Sequence, residues 1–371
     1  MNVLHINCNY MTTVLHQTMI EHLDAFTKNT VICPFQIGRE GVIVPNDNVR
    51  VLRCFNKYDR LFYFIKQKKI LDAIEQDIKI KDNDLVHAYT LMTDGNIAYN
   101  IKKKYGIPYV VAIRDTDLYV FFRKKPYLIN RGIKIMENAS KIFFLSEPHK
   151  QEMLEKYIPN KIKSTLDNKM YVIPNGIDDF WLDNKYLPHN STESIRRNKS
   201  FTCICVGQVS KRKNIPTVQS AIQSLNKEGW NVELHVIGKI VDNDEFKKIN
   251  PNTTKYHPPV DKTKLIEYYR SADIFVLASL TETFGLVYAE AMSQGVPVIY
   301  TSRQGFDGQF AEGVVGYSVK ASDSFDITQK IKMIINNYDK ISKNTTVCVD
   351  RFDWGKIVEK YHMLYIDALS N

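Results

Sequence analysis

Short apolar runs alternate with stretches of helical periodicity along the first half of the chain. The runs that predict strands are Asn2–Ile6, Asp84–Ala88, Tyr109–Ile113, Lys141–Leu145 and Met170–Ile173. The helical patterns lie around Leu61–Ile78, Gly95–Tyr105, Leu128–Ala139 and His149–Tyr157. Nearly continuous apolar strands separated by helices are typical of a parallel sheet that is covered on both faces. The pattern therefore predicts an α/β fold.

The second half repeats this alternation after a polar connecting stretch. Its strand patterns are Phe201–Val206, Val232–Ile237, Ile274–Ala278 and Val298–Tyr300, with helices near Ile215–Lys227 and Lys262–Ser271. Residues 187–200 carry turn-forming and charged residues and few large apolar ones. We therefore expect two domains, at residues 1–178 and 200–354.

Two glutamates follow the strand pattern Ile274–Ala278. Glu282 lies in the loop just after the strand, and Glu290 lies two helical turns later, with seven residues between them. A strand–loop–helix junction at the carboxyl end of a parallel sheet points free backbone N–H groups into a crevice, where they suit phosphate or sugar oxygens. Carboxylates accept hydrogen bonds from sugar hydroxyls and from a ribose diol. The arrangement fits a nucleotide-sugar, although glutamates at this spacing also occur as solvated helix residues.

A basic loop follows the strand pattern Phe201–Val206. It contains Lys211, Arg212 and Lys213 and leads into the next helical pattern. Cations beside a helix N-terminus suit a diphosphate. The residues alone are equally compatible with a solvated basic turn.

The composition narrows the class of protein. With 371 residues and 44% hydrophobic content, the chain can bury two cores. No stretch reaches the about 18 consecutive apolar residues of a transmembrane helix, and the first residues lack the basic segment of a signal peptide. The six cysteines form no CxxC pair. These features predict a cytoplasmic protein with reduced cysteines.

The net charge of +9 is concentrated in the first half, since residues 1–175 hold 26 of the 50 basic residues and only 18 of the 41 acidic ones. This excess favours an acidic partner, either a phosphorylated acceptor or a membrane surface. Nucleic acid is the weakest candidate because no nucleic-acid-binding motif is present.

Two basic and aromatic stretches, residues 60–69 and 118–127, contribute to this excess. Their aromatic residues can belong to the core while the lysines are solvated. The alternative is a patch that rests on an anionic membrane, with Arg123, Lys124 and Lys125 as its charges and with Phe121 and Phe122 inserting.

Together, the motifs of the second half resemble those of glycosyltransferase family 4, retaining enzymes of the GT-B fold. The similar segments include residues 283–286, 290–292 and 295–298. In the basic loop, Gly207 and Lys213 match the family. Gln208 stands where the family has an arginine, so that Lys211 or Arg212 would have to supply that charge. Residues 172–178 and 352–365 also resemble family segments, whereas the likeness is weakest within residues 7–80.

The resemblance implies two Rossmann-like domains whose parallel sheets face each other across a cleft. The terminal helix, about residues 355–371, would pack back on the first domain. Lys213 and the N–H groups near Gly285 would stabilise a leaving diphosphate, while Glu282 holds sugar hydroxyls and Glu290 holds the ribose. The donor-binding residues that it implies are Gly207, Gln208, Arg212, Gly238, Pro259, Thr283, Phe284, Gly285, Leu286 and Glu290.

Arg114 stands where many family members carry a histidine, and it joins Glu282 and Lys213 as an expected catalytic residue. An arginine can hold a phosphate or a sugar hydroxyl, but it does not act as a base at neutral pH. On the acceptor side we expect Asn9, His87 and Asp115. For His87, a buried structural role is the stronger alternative.

An Asp-x-Asp pattern at Asp115 and Asp117 is the kind of motif that binds a divalent metal in GT-A enzymes. The same pattern recurs twice elsewhere, at residues 82–84 and 242–244, so it is a weak signal in this chain. We therefore expect no metal ligands and no cofactor.

These expectations combine in a retaining glycosyltransferase. It would move a sugar from a nucleotide diphosphate sugar, UDP-linked rather than GDP-linked, to a glycan or lipid-linked acceptor in bacterial surface polysaccharide synthesis. The enzyme would be cytoplasmic and could lie as a peripheral protein at the inner face of the membrane. Two alternatives are a nucleotide-sugar 2-epimerase of the same fold and a non-catalytic subunit, although the latter would have lost the glutamates.

Overall fold

The chain forms two compact units, each built on one parallel β-sheet. The computed structural model describes residues 1–41, 48–187 and 191–370. The first unit contains the described part of residues 1–145 together with residues 149–176 and 354–370, and the second contains residues 146–148 and the described part of 177–353. Strands alternate with helices in both units, which confirms the predicted α/β class with two Rossmann-like domains.

The first unit has a seven-stranded sheet in the order β3-β2-β1-β4-β5-β6-β7. Its strands are β1 (Asn2–Ile6), β2 (Lys28–Gln36), β3 (Val49–Phe55), β4 (Leu85–Ala88), β5 (Tyr109–Ala112), β6 (Lys141–Phe144) and β7 (Met170–Val172). All neighbouring strands are parallel. The five strands that the sequence predicts are confirmed to within one residue, whereas β2 and β3 were not predicted.

Helices cover both faces of this sheet. They are α1 (Leu15–Leu23), α2 (Tyr63–Asp77), α3 (Asp94–Tyr105), α4 (Ile129–Asn138), α5 (Glu147–Lys156) and α6 (Asn160–Asp167). One core contains Ile70, Ile74 and Ile97 from α2 and α3, and the core on the opposite face contains Met19 and Leu23 from α1. The strand order reverses between β1 and β4, which is the point where such sheets open a crevice at their carboxyl ends.

The second unit has a six-stranded parallel sheet in the order β10-β9-β8-β11-β12-β13. Its strands are β8 (Ser200–Val206), β9 (Asn231–Ile237), β10 (Thr254–His257), β11 (Ile274–Val276), β12 (Val298–Thr301) and β13 (Gly316–Val319). Its helices are α7 (Asp179–Asp183), α8 (Thr192–Asn198), α9 (Ile215–Lys227), α10 (Asn243–Phe246), α11 (Lys262–Arg270), α12 (Leu286–Ser293), α13 (Ser324–Asn336) and α14 (Tyr338–Cys348). The order reverses between β8 and β11, so the loops after these two strands lie side by side.

The stretch between the two expected domains folds with the second unit. The chain leaves the first unit after Gly176, and α7 and α8 belong to the second unit, where each buries an apolar side chain. Trp181 of α7 contacts the ring of Tyr269 edge-on at 5.6 Å, and Ile195 of α8 is also buried. Residues 188–190 of the expected connecting stretch lie outside the described residues.

The terminal helix α15 (Trp354–Ser370) belongs to the first unit. Its buried face presents Trp354, Val358 and Tyr365 to the same core as β1 and β2. A Cβ atom on Gly176 would lie only 2.4 Å from the Trp354 ring, so the ring packs directly on the backbone at that glycine. The last residue of the expected 355–371 helix lies outside the described residues.

Among the described helices, none combines the length and the apolar content that a membrane crossing requires.

The packing of α15 predicts that Trp354→Ala destabilises the first unit. Replacing a buried aromatic residue with alanine removes apolar contacts and leaves a cavity, which costs about 3–5 kcal/mol. Met363→Ala is the matched control because Met363 lies on the same helix with 62% of its surface exposed, and we expect it to change stability by no more than about 0.5 kcal/mol. Urea unfolding followed by circular dichroism measures both. Equal midpoints for the two variants would contradict this account of the helix.

Candidate functional site

The loop between β11 and α12 carries Glu282 and is held by hydrogen bonds. The Glu282 N–H donates to the Gln304 side-chain carbonyl at 2.9 Å, and the Glu282 carbonyl accepts from the Gly305 N–H at 2.9 Å. The Tyr288 hydroxyl of α12 reaches back to the Leu277 carbonyl at 2.8 Å. These bonds fix the backbone on both sides of Glu282, so its carboxylate has a defined position.

The Glu282 carboxylate forms a buried ion pair with Lys213. Lys213 Nζ lies 2.6 Å from Glu282 Oε2, and each residue is 7% exposed. The Ser279 hydroxyl donates to the same oxygen at 3.2 Å, and the exposed Arg212 places a guanidinium nitrogen 3.5 Å from it. A buried charge of either sign would be costly alone, so each partner makes the burial of the other tolerable.

The loop after β8 brings Lys213 to this position. Gly207 has a φ of 150°, and a Cβ on it would lie 3.0 Å from the Lys213 Cε. A Cβ on Gly238 would lie 2.0 Å from the Gly207 carbonyl oxygen, which leaves no room for a side chain. Gly207 and Gly238 are therefore required for the two loops to approach each other beside the lysine.

The N-terminus of α12 is open beside Glu282. Gly285 occupies the N-cap position with a φ of 80°, and no side chain caps the helix. A Cβ on Gly285 would lie 2.4 Å from the Tyr288 ring and 3.2 Å from the Glu282 Cγ, so a larger residue would disturb the carboxylate. The first N–H groups of a helix have no partner within it and attract anions. The side chains of Thr283 and Leu286 lie at the surface of this turn, exposed and half-buried respectively.

Phe284 departs from the expected donor-binding role. Its side chain is 2% exposed and packs edge-on against Phe352, with ring centroids 5.6 Å apart. The centroid of the Phe306 ring lies 6.4 Å away. The apolar ring turns into the core because the loop would otherwise expose it. Only the backbone of Phe284 is available to a ligand.

Glu290 lies on α12, and its hydrogen-bond partner is Tyr269 rather than Lys213. The Tyr269 hydroxyl donates to Glu290 Oε2 at 3.2 Å, and the glutamate is half-buried. Burial raises the pKa of the Glu290 carboxyl to about 7; the bond from Tyr269 lowers it, and the charge of Asp178 raises it. Near neutral pH this carboxyl is therefore poised between its two forms.

The remaining expected donor residues of the second unit lie at its surface. Gln208 and Pro259 are exposed, and Gly238 is half-buried beside Gly207. Close to Pro259, His257 Nδ1 lies within hydrogen-bond distance of the Tyr268 hydroxyl, at 3.1 Å. The His257 ring stacks on His235 with ring centroids 5.1 Å apart.

Four residues that were not among the predicted ligands complete the site. Ser279, Gln304 and Gly305 hold Glu282, as described above. Asn214 adopts a left-handed conformation with a φ of 55° and donates its amide to the carbonyls of Ala278 and Ala321. Asparagine is one of the few residues other than glycine that adopt this conformation readily. Sequence gave no signal for Gln304 and Gly305, because the fold alone brings them to Glu282.

In the first unit, Arg114 lies at the end of β5. It is half-buried, and its Nε donates to the Tyr89 carbonyl at 3.3 Å. The Asp117 carboxylate accepts from the backbone N–H groups of Leu91, Met92 and Arg114 at 2.9–3.0 Å. Burial raises the pKa of Asp117 to about 6, whereas these bonds lower it. Asp117 therefore holds two loops together.

The two carboxylates of the Asp-x-Asp pattern point to different partners. Asp117 bonds to the backbone, whereas Asp115 Oδ1 lies 3.5 Å from the Nδ1 of the buried His149. Within residues 1–41, 48–187 and 191–370, no group of three or more His, Cys, Asp or Glu side chains could hold a metal ion.

Of the expected acceptor-side residues, Asn9 is exposed and His87 is not. Asn9 lines a cavity of the first unit. His87 is fully buried in β4, where its Nδ1 lies 2.6 Å from the Tyr365 hydroxyl and its ring stacks on Tyr89 at 4.3 Å. Burial lowers the pKa of His87 well below its usual value. The contact with α15 gives His87 the structural role, and an acceptor cannot reach it in this structure.

The expected membrane-inserting residues also need correction. Phe122 is 1% exposed, because its ring packs edge-on against Tyr157 at 5.1 Å. Phe121 is half-buried. The exposed apolar side chains instead belong to the other basic and aromatic stretch, where Leu61, Phe62, Phe64 and Ile65 are 52–73% exposed.

Two family models match the chain. The model described as Glycosyltransferase Family 4 matches residues 15–179, and the one described as Glycosyl transferases group 1 matches residues 189–346. The alpha-monoglucosyldiacylglycerol synthase of Acholeplasma laidlawii is 26% identical over 360 residues, which cover 91% of this chain and 85% of that protein.

Solved structures share the fold at low sequence identity. The apo form of the lipopolysaccharide outer core galactosyltransferase WaaB has a TM-score of 0.75 at 14% identity, with 99% of each chain covered. The Anabaena protein HepE in complex with UDP has a TM-score of 0.71 at 15% identity, covering 98% of this chain and 99% of that one. These likenesses confirm the GT-B fold.

The surroundings of Glu290 predict that its carboxyl titrates near pH 7 in the folded protein. Because this pKa lies above that of a glutamate in the unfolded chain, the carboxyl's contribution to stability is complete below the unfolded pKa and is lost as pH rises through about 7. Tyr269→Phe should raise the midpoint further, since it removes the hydrogen bond that favours the charged form. Carbon-13 NMR of carboxyl-labelled glutamate measures the midpoint, and Glu290→Gln assigns the signal. A midpoint near pH 4.5 that Tyr269→Phe does not move would contradict the described environment.

Proposed function

The chain belongs to glycosyltransferase family 4, and on that premise we propose that it transfers a hexose from a UDP-sugar to a glycan or lipid-linked acceptor with retention of anomeric configuration. The buried Lys213–Glu282 pair beside the open N-terminus of α12 carries this proposal. A UDP donor is supported by the UDP complex of the structurally similar HepE.

Lys213 and α12 stabilise the leaving diphosphate. Negative charge develops on the diphosphate as the bond to the sugar breaks, and a fixed cation with unpaired N–H groups lowers the energy of that state. Lys213 is already positioned by Glu282, so little reorganisation is needed when the donor binds. Gln208 stands at the position of the family's arginine, and Arg212 supplies the missing positive charge. The Arg212 guanidinium lies beside the Glu282 carboxylate.

Glu282 holds the hydroxyls of the donor sugar. In the described part of the chain, each contact to its carboxylate ends on Oε2, which leaves Oε1 to accept from hydroxyl groups. Glu290 accepts from the ribose diol, and it does so better when ionised. Donor affinity should therefore increase as pH rises through about 7.

The bond to the acceptor forms on the face from which the diphosphate leaves. The leaving phosphate oxygen takes the proton of the acceptor hydroxyl, so that no protein base is required. Arg114 of the first unit stays charged and binds an oxygen of the reactants. Asp115 and Asn9 contact the acceptor in this proposal, whereas His87 does not. No metal takes part in the reaction.

The acceptor belongs to surface glycolipid or polysaccharide synthesis, as the similarity to the Acholeplasma synthase and to WaaB supports. The enzyme works in the cytoplasm and docks on an anionic membrane. The docking face consists of the exposed apolar residues Leu61, Phe62, Phe64 and Ile65 together with the exposed Arg123 and Lys124.

The ion pair predicts that Lys213→Met and Glu282→Gln each reduce sugar transfer by roughly 10²–10³, because each removes a group that acts on the donor (~3–4 kcal/mol). Each single variant also leaves an unpaired buried charge or polar group and should lose up to about 3–5 kcal/mol of stability. The double variant removes both charges and should regain most of that stability while staying inactive. Initial rates with a UDP-hexose panel and thermal unfolding together separate the two effects.

Transfer should also continue in excess EDTA. Loss of activity in EDTA with rescue by Mn²⁺ would contradict the metal-independent mechanism. Activity restored in the double variant would refute the role of the pair in catalysis. Turnover of UDP-GlcNAc without any acceptor would favour the epimerase over the transferase.

The docking face predicts weak, salt-sensitive binding to anionic vesicles. Basic residues contribute about 1 kcal/mol each near such a surface, and Arg123, Lys124 and Lys125 together contribute about 3. Replacing these three by serine, or replacing Leu61 and Phe64 by serine, should abolish co-sedimentation. Serine at Lys102, Lys103 and Lys104 of α3 is the control with the same change of charge. Wild-type protein that stays in the supernatant at both low and high salt would contradict the peripheral-membrane proposal.

A further inference from the structure

The first unit contains a cavity that the donor chemistry does not use. Its volume is about 300 Å³, and it opens at the carboxyl ends of β1, β2 and β3. The two basic and aromatic stretches meet here: Arg60, Tyr63 and Lys66 form one wall, and Phe121 and Lys125 contribute to another. Residues 60–69 and 118–127 are thus parts of one site.

The cavity has a concentrated positive charge. Arg39, Arg60, Lys66 and Lys125 line it, and none of its lining residues is acidic. Among the carboxylates that the structure describes, none forms an ion pair with these four cations. The nearby acids are engaged elsewhere: Asp59 pairs with Lys69 at 2.7 Å, and Asp94 accepts from Thr90 and from the Cys8 N–H.

Aromatic rings hold three of these cations without neutralising them. Lys66 Nζ lies 4.4 Å from the centre of the Phe55 ring. The Arg39 guanidinium lies 5.5 Å from the Phe35 ring, and Lys125 Nζ lies 5.5 Å from the Phe121 ring. A cation over a ring face is positioned and partly desolvated, yet its N–H donors stay available for an anion.

Lys66 is a half-buried cation of the cavity lining. Burial lowers the pKa of Lys66, the charges of nearby Cys8 and Asp94 raise it, and the charge of Arg60 lowers it. Arg60 and Lys66 both line the cavity and carry like charges, so they repel each other. An anion between them would relieve that repulsion and form charge-assisted hydrogen bonds to both.

We propose that this cavity binds a phosphate or diphosphate group carried by the acceptor, with the remainder of the acceptor lying along Phe35, Phe55, Val120 and Phe121. This inference rests on the proposed transferase function, and it adds that the acceptor of the sugar carries a negative charge. The donor's diphosphate has its own cation in the second unit, Lys213, so the two anions are recognised by separate residues.

The phosphate group that binds in the cavity can belong to a soluble sugar phosphate or to a phosphorylated lipid. The exposed residues Leu61, Phe62 and Phe64 adjoin Arg60 and Tyr63 of the cavity wall along the chain, which gives a lipid chain an apolar surface beside the phosphate. The arms of the experiment separate these sources.

The test is calorimetric binding to the full-length protein with UDP present in excess, so that the donor's diphosphate site is filled. The soluble probe is glucose 1-phosphate. The lipid probe is phosphatidic acid in neutral detergent micelles, compared with diacylglycerol in the same micelles. The variant Arg60→Gln/Lys66→Gln removes two cations, and Lys68→Gln is the control because Lys68 lies exposed on the same helix outside the cavity.

We expect at least one phosphate probe to bind wild type and Lys68→Gln equally and to bind the double variant roughly tenfold or more weakly. Binding of glucose 1-phosphate identifies a soluble source, and binding of phosphatidic acid but not diacylglycerol identifies a lipid source. Arg39→Gln, at an exposed cavity position, should weaken the same probe if the double variant unfolds. Binding that is absent, or equal in all variants, would overturn the proposal. A separate titration of UDP into the protein without a phosphate probe reports on the donor site, so failure of the cavity and failure of the transferase assignment are distinguishable.

Discussion

The buried ion pair between Lys213 and Glu282 is the interaction on which the donor site depends. Two opposite charges at 7% exposure are stable only because they lie 2.6 Å apart. That distance requires the loop after β8 and the loop after β11 to approach closely. Gly207 and Gly238 allow the loops after β8 and β9 to pack beside Lys213, and Gly285 leaves room beside the Glu282 side chain. The pair also keeps a cation and a carboxylate at fixed positions before any substrate arrives, which is the condition for stabilising charge that develops during reaction.

The cations of the two candidate sites have different surroundings. In the second unit, the cation Lys213 is paired with the carboxylate of Glu282. In the first unit, the cavity cations are held by aromatic rings and have no carboxylate in the lining. Both sites lie at the carboxyl ends of parallel strands, where loops are free to carry function while the helices and strands supply the core.

The sequence predicted the α/β class and most strands because buried parallel strands are short and uniformly apolar. It did not predict β2, which contains Pro34, or β3, whose outward positions carry Arg50 and Arg53, since both break the apolar pattern. It identified Lys213 and Glu282, which lie on recognisable motifs. It could not identify Gln304 or the burial of Phe284, because these depend on which segments the fold brings together. For His87 it already favoured a buried structural role, and for Phe122 it left a core position open.

A crystal structure of the full chain with UDP bound tests the central claim most directly. The account predicts diphosphate oxygens within about 3.2 Å of Lys213 Nζ and of the N–H groups at the start of α12, with the ribose on Glu290. A diphosphate bound away from the α12 N-terminus, with Lys213 contacting only Glu282, would contradict it.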